Sequence, residues 1–202
     1  CKKAVFGLLN CCAGKAFPLI PYGQLLVALG CSREEILLHA RDGAPSVGVF
    51  SAALKKELLD AEGYAQMLAS TTLLNTPGPS LASLQGVSAM TDVTGFGLFG
   101  HLAEMCRGAR LSARIDAAAV PVFPRARALA EEGVRTGASA RNWAAVEGMV
   151  EMNDAAALRD LFTDPQTSGG LLVACAPDAV AAALGVFDAH GHRGAAVIGV
   201  FE

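Results

Sequence analysis

In the segment "TDVTGFGLFGH", residues 91–101, a single carboxylate, Asp92, stands in a turn rich in threonine and glycine, immediately before an apolar segment. Glycines at 95, 97 and 100 let a backbone come close to a ligand, and a helix beginning near Phe96 or Leu98 aims unpaired N–H groups at it. That outlines an anion site, yet Asp92 is itself an anion and would repel phosphate. A divalent cation between them removes the conflict, because Mg2+ keeps several waters and is held by one or two carboxylates together with substrate phosphates. The turn therefore suggests metal-bridged nucleotide binding. The plainer reading is that Asp92 or Thr94 caps the helix while the glycines serve tight packing. The turn is neither a G-x-G-x-x-G nor a Walker sequence.

A second turn, "TDPQTSGG" at 163–170, repeats the composition. Asp164 precedes a proline, Thr167 and Ser168 offer hydroxyl donors, and Gly169 and Gly170 allow a nest of backbone N–H groups ahead of a strand. Its plainer reading is an Asx-type turn that only reverses the chain. Two Asp/Thr/Gly turns, each at a strand end, strengthen the ligand-binding reading of both.

The elements that must position these turns follow from periodicity. "SAALKKELLDAEGYAQMLASTTLLN", 51–75, reads as two helical pieces loosened at Gly63 and ended by "TPGPS". "GVSAM" is a strand candidate, and Leu98, Leu102, Met105 and Cys106 recur at helical spacing up to a stop at Gly108. "LSARID" reads as a strand, "RARALAEEG" as a helix closed by Gly133, and "RTGASARNW" as a polar loop. The apolar strand "LLVAC" follows the second turn, Pro177 opens a helix, and "AVIGV" supplies a last strand. Upstream, "ALGCSREEILLHARDG" reads as helix. The expectation is an α+β (layered α/β) fold: a mixed sheet with helices packed on one face. Residues 1–45 are set apart as a divergent or remnant N-terminal segment, and 46–202 as one domain.

Composition narrows the function classes. The 202 residues are 52% hydrophobic, ample for a core, and the apolar runs are too short and interrupted to span a bilayer. The net charge is −3 with sixteen scattered Lys and Arg, which excludes the basic stripe that nucleic acid demands. Six cysteines at 1, 11, 12, 31, 106 and 175 form no C-x-x-C pair, and a reduced, cytoplasmic setting is expected. The four histidines do not cluster and read as scattered surface residues.

"AMTDVTGFGLFGHLAEMCRGA" and "LFTDPQTSGGLLVA" closely resemble the two characteristic segments in the C-terminal half of the selenophosphate synthetase (selenide, water dikinase) family, in the superfamily of aminoimidazole ribonucleotide synthetase. The resemblance is colinear from about Val47 to Glu202, with "VGVFSAALKKELLDAEGYAQMLASTTLLN" and "TGASARNWA" as smaller agreements. It implies the superfamily's C-terminal domain fold and a parent enzyme that turns selenide and ATP into selenophosphate, AMP and orthophosphate with Mg2+. It also implies a homodimer. By position Asp92 corresponds to a Mg2+-ligating carboxylate at the ATP phosphates. Thr94, Gly95 and Gly97 shape the same loop, and Asn142, Thr167, Ser168, Gly169 and Gly170 match family positions with a supporting role near the nucleotide or at a domain interface.

The family's N-terminal half carries a nucleophilic Cys or selenocysteine, a nearby lysine, a glycine-rich segment and further Mg2+-binding aspartates, none recognisable here. Cys11, Cys12 and Lys15 in "NCCAGKAF" echo the Cys/Lys pair with the wrong spacing. No catalytic residue is therefore assigned, and the isolated chain is expected to lack the full reaction. Two alternatives stay open: another ATP-dependent synthetase or kinase of the superfamily, and a catalytically silent dimerising fragment.

Overall fold

The computed structural model describes residues 34–40, 45–152 and 156–202. Cys11, Cys12 and Lys15 lie outside them. Five strands form one sheet in the order β2 (Val87–Asp92), β4 (Leu171–Cys175), β1 (Ile36–Ala40), β5 (Ala196–Phe201), β3 (Ala113–Ile115). The helices among the described residues are α1 (Val47–Lys55), α2 (Ala61–Thr72), α3 (Gly78–Ser83), α4 (Gly97–Ala109), α5 (Pro124–Glu131), α6 (Gly137–Val146), α7 (Ala156–Phe162) and α8 (Val180–Ala189).

The α+β class holds, and two details of the expectation differ. Each of the four strand pairings is antiparallel, so the sheet is not mixed. Helices also cover both faces. On one face Leu37, Leu172, Ala174 and Ile198 pack into a core with α1, α4, α5 and α7, through Phe50, Leu98, Met105, Leu129 and Phe162. On the other face Leu38, Leu171, Val173 and Cys175 meet α3 and α8 through Leu81, Ala183 and Phe187. Successive side chains alternate between faces, so a strand covered on both sides reads as an unbroken apolar run. "LLVAC" is such a run, buried at all five positions.

The segment read as helix, "ALGCSREEILLHARDG", holds β1 within its described part. Leu37 and Leu38 feed opposite cores, and β1 is paired on both sides, by β4 and by β5. A short apolar run does not distinguish strand from helix by periodicity, and its two sheet neighbours decide it. Other corrections have local causes. The break between α1 and α2 lies before Asp60, whose carboxylate accepts the Gly63 N–H at 2.7 Å; Gly63 sits in the first turn of α2 and is no hinge. The prolines at 77 and 79 open α3. "RTGASARNW" is mostly helix, because the Thr136 hydroxyl caps α6 by accepting the Ser139 N–H at 3.2 Å. Gly108 stays helical, and Arg110 ends α4 in the left-handed region at φ 58°.

For the site, the pairing of β2 with β4 matters most. Asp92, the last residue of β2, lies opposite Leu171, the first of β4. Antiparallel geometry thus brings the turn that leaves β2 against the turn that enters β4.

Leu172 is fully buried in the center of the larger core. Leu172→Ala is expected to lower unfolding stability by about 2–5 kcal/mol, the range for a buried leucine that leaves a cavity. Urea denaturation reads it as a lower midpoint at an unchanged slope.

Candidate functional site

The two turns are stitched together by backbone. Val93 donates its N–H to the Gly170 carbonyl at 2.8 Å, and Gln166 donates its N–H to the Thr94 carbonyl at 3.0 Å. Gly169 lies so close to the Val93 carbonyl oxygen that a Cβ there would sit 1.5 Å from it. Gly97, at φ 69°, faces the Thr163 backbone, where a Cβ would come within 2.7 Å. These two glycines are needed for close approach, as their place in the turns suggests.

Side chains complete the clamp. Asn142, on α6, donates its amide N–H groups to the Gly95 carbonyl at 2.8 Å and the Thr163 carbonyl at 2.9 Å, tying one turn to the other. Asn75 donates to the Gly169 carbonyl at 2.9 Å. The Thr94 N–H and hydroxyl lie 3.0 and 3.1 Å from His101 Nε2. Of the predicted positions, Thr94, Gly95, Gly97, Asn142, Gly169 and Gly170 are therefore joined in one backbone-centred assembly with Asp92 at its edge. Thr167 and Ser168 are exposed within the second turn, and Ser168 holds a left-handed φ of 53°, a conformation that costs an L-residue about 1–2 kcal/mol.

Asp92 is half-buried, and burial holds its carboxyl above the usual range, offset in part by a hydrogen bond from its own backbone N–H. It does not cap α4: the N-cap is Phe96, and no side chain caps that helix. Among the described residues no cationic side chain pairs with Asp92, and no group of three His, Cys, Asp or Glu gathers to hold a metal ion. The N–H groups of Gly95 and Phe96 meet no acceptor among the described residues, and both residues are exposed. The outcome is a half-buried carboxylate at the start of a turn that carries two open backbone donors. One carboxylate fits Mg2+ as a partial ligand set, since that ion keeps waters and shares phosphate oxygens.

Asp164 has a different task. It is fully buried, and Oδ2 accepts the Val49 N–H at 3.0 Å and the Gln166 amide at 3.0 Å. Gln166 Oε1 in turn accepts the N–H groups of Ser46 and Val47. Together they satisfy the start of α1, which has no cap of its own. Burial pushes the Asp164 carboxyl up to about 7, against the hydrogen bonds that favour its charge.

Sequence reasoning missed His101 and Asn75. The histidines are not generally surface residues: His39, His101 and His192 are buried. The signal for His101 was its position within the first motif, one turn inside α4.

The paired turns on a helix-covered antiparallel sheet define a class. Residues 34–202 match the family described as AIR synthase related protein, C-terminal domain, and the chain belongs to it. Its relatives include the selenide, water dikinase of Burkholderia pseudomallei (strain K96243), 58% identical over 155 residues, which cover 76% of this chain and 44% of that protein. The selenide, water dikinase of Pseudomonas straminea is 58% identical over 160 residues, covering 77% and 44%. The chain spans less than half the length of these relatives. E. coli HypE, a hydrogenase maturation protein, superposes with a TM-score of 0.61 at 23% identity over 86% of this chain and 45% of its own. The thiamine-monophosphate kinase from Stenotrophomonas maltophilia K279a does so with 0.57 at 16% identity, over 90% and 52%. These two likenesses establish the fold.

Asp164 and His101 titrate in opposite senses. Folded Asp164 keeps its proton up to about pH 7 while the unfolded chain releases it near 3.8, so its contribution to stability falls as pH rises through that window. Burial lowers His101 to about 4 from 6.5, so its contribution falls as pH drops through that range. Relative to the unsubstituted chain, Asp164→Asn should gain stability steadily from pH 4 to 7, and His101→Gln should gain it from 6.5 down to 4. Urea unfolding at several pH values checks both slopes.

Proposed function

We propose that this chain is the C-terminal portion of a selenide, water dikinase, and that Asp92 supplies one ligand to a Mg2+ ion at the phosphates of ATP. The observation that carries the proposal is the half-buried Asp92 carboxylate, neither cap nor ion-pair partner, at the start of the turn that carries the open N–H groups of Gly95 and Phe96. Burial opposes its charge, and a half-buried carboxylate perturbed in this way is a candidate functional group. The 58% identity to two selenide, water dikinases, together with both motifs, supports selenide as the second substrate.

Bound Mg2+ would supply charge neutralisation at the β and γ phosphates during phosphoryl transfer. Within this chain, Asp92 would fill one coordination position, and the Gly95 and Phe96 N–H groups would donate to phosphate oxygens. Asn142, Gly169 and Gly170 hold the loop rigid, and Thr167 and Ser168 present hydroxyls from the facing turn. A single carboxylate does not hold the ion alone; waters and phosphate oxygens would share its shell, and the nucleophile would come from the N-terminal half of the parent, as the family resemblance implies. Selenophosphate, AMP and orthophosphate as products, a homodimeric parent and a cytoplasmic setting belong to the same proposal.

Asp92→Asn in the longer protein containing this chain is expected to lower Mg2+-dependent ATP cleavage by about a hundredfold or more, the scale for losing one transition-state charge partner. Stability of this chain should be unchanged or slightly higher, because the substitution removes a charge that burial disfavours. Steady-state turnover with selenide and urea unfolding measure the two effects; unchanged turnover removes the assignment.

A further inference from the structure

We propose that His101 is a positioning residue, whose unprotonated Nε2 accepts the Thr94 N–H and thereby holds the turn that follows Asp92 in one shape. The hold itself rests on geometry alone; its bearing on Mg-ATP rests on the reading of Asp92 given above.

His101 is the fifth residue of α4. Long helical side chains point back toward the helix N-terminus, so an imidazole at that depth reaches over the first turn to the loop that feeds it. Nε2 arrives 3.0 Å from the Thr94 nitrogen and 3.1 Å from its hydroxyl oxygen. A backbone N–H only donates, so Nε2 must present its lone pair and the ring proton must sit on Nδ1. Nδ1 faces Glu104 Oε2 at 4.0 Å, beyond hydrogen-bond length and on the side where a carboxylate favours that tautomer. Burial works in the same direction, holding the imidazole neutral.

One further contact fixes the ring. The Phe96 ring lies 5.8 Å from it, tilted by 47°. Gly100 makes room for Phe96, since a Cβ there would come 2.5 Å from the Phe96 Cβ. Thr94 is thereby held from both ends, its N–H by His101 and its carbonyl by Gly97 and Gln166. Val93, just before it, is held by Gly170. Removal of the imidazole leaves the Thr94 N–H without its acceptor, and the turn is held only through the Val93 N–H and the Thr94 carbonyl. The adjacent Gly95 and Phe96 donors then lose their fixed direction.

The test pairs His101→Phe, which keeps an aromatic ring and removes the acceptor, with His101→Gln, whose Oε1 restores one. In this chain, amide hydrogen exchange by NMR should show Thr94 exchanging about tenfold faster in the Phe variant, the scale of one ordinary hydrogen bond, with Leu172 and Val173 as unchanged references. The Gln variant should return Thr94 to within about threefold of the unsubstituted rate. Unchanged Thr94 exchange in His101→Phe overturns the proposal. If that variant does not fold, nitrogen NMR of the unsubstituted imidazole decides: a pyridine-type Nε2 supports the proposal and a protonated Nε2 overturns it. In the longer protein, kcat/KM for Mg-ATP should fall about tenfold in the Phe variant and recover in the Gln variant. An exchange response without a kinetic one upholds the positioning role and counts against the reading of Asp92.

Discussion

Gly169 and Val93 share a space that only two bare backbones can occupy, and the rest of the site depends on that approach. A Cβ at 169 would fall 1.5 Å from the Val93 carbonyl oxygen, so the two turns meet main chain to main chain. The contact forms because β2 and β4 are antiparallel neighbours, Asp92 ending one strand where Leu171 begins the other. β4 is buried at all five positions, and the Gly170 carbonyl just before it holds the N–H of the residue just after Asp92. Loops carry function when a rigid scaffold fixes them, and here the scaffold reaches into the loop itself.

Two aspartates in similar sequence surroundings come to opposite uses through their surroundings in space. Asp164 sits wholly inside, bonded to the start of α1, and serves the fold as a cap shared with Gln166. Asp92 sits at the rim, free of cap and ion pair, and its partial burial is offset only in part, by its own backbone N–H. The plainer reading of a capping aspartate therefore applies to the second turn, where it caps a helix more than a hundred residues away in sequence, and not to the first.

Strong local signals carried much of the architecture. The strand–turn–helix around Asp92, the run "LLVAC" and the α5 helix stopped at Gly133 are all legible, because each joins a clear period to a turn residue of fixed chemistry. What stayed hidden depends on distant partners. β1 is a strand because β4 and β5 flank it, and the antiparallel sense of the sheet is a property of pairing, not of any strand alone. Helices on both faces were hidden for the same reason. At the site, motif composition pointed to Asp92 and the glycines, while the tasks of Asn75 and Asn142 appear only as hydrogen bonds to carbonyls far off in the chain, and that of His101 as a bond to the Thr94 N–H back across the first turn of α4. The Thr136 cap was visible as a residue type and masked by the glycine that follows it.

The position of Asp92 when ligands are bound decides whether it serves a metal. A crystal structure of the longer protein with Mg2+ and a non-hydrolysable ATP analogue tests this most directly. The predicted result is an Asp92 carboxylate oxygen at about 2.0–2.1 Å from a Mg2+ ion that also binds phosphate, with the Gly95 or Phe96 N–H directed at a phosphate oxygen. A bound nucleotide and metal with Asp92 remote from both would contradict it.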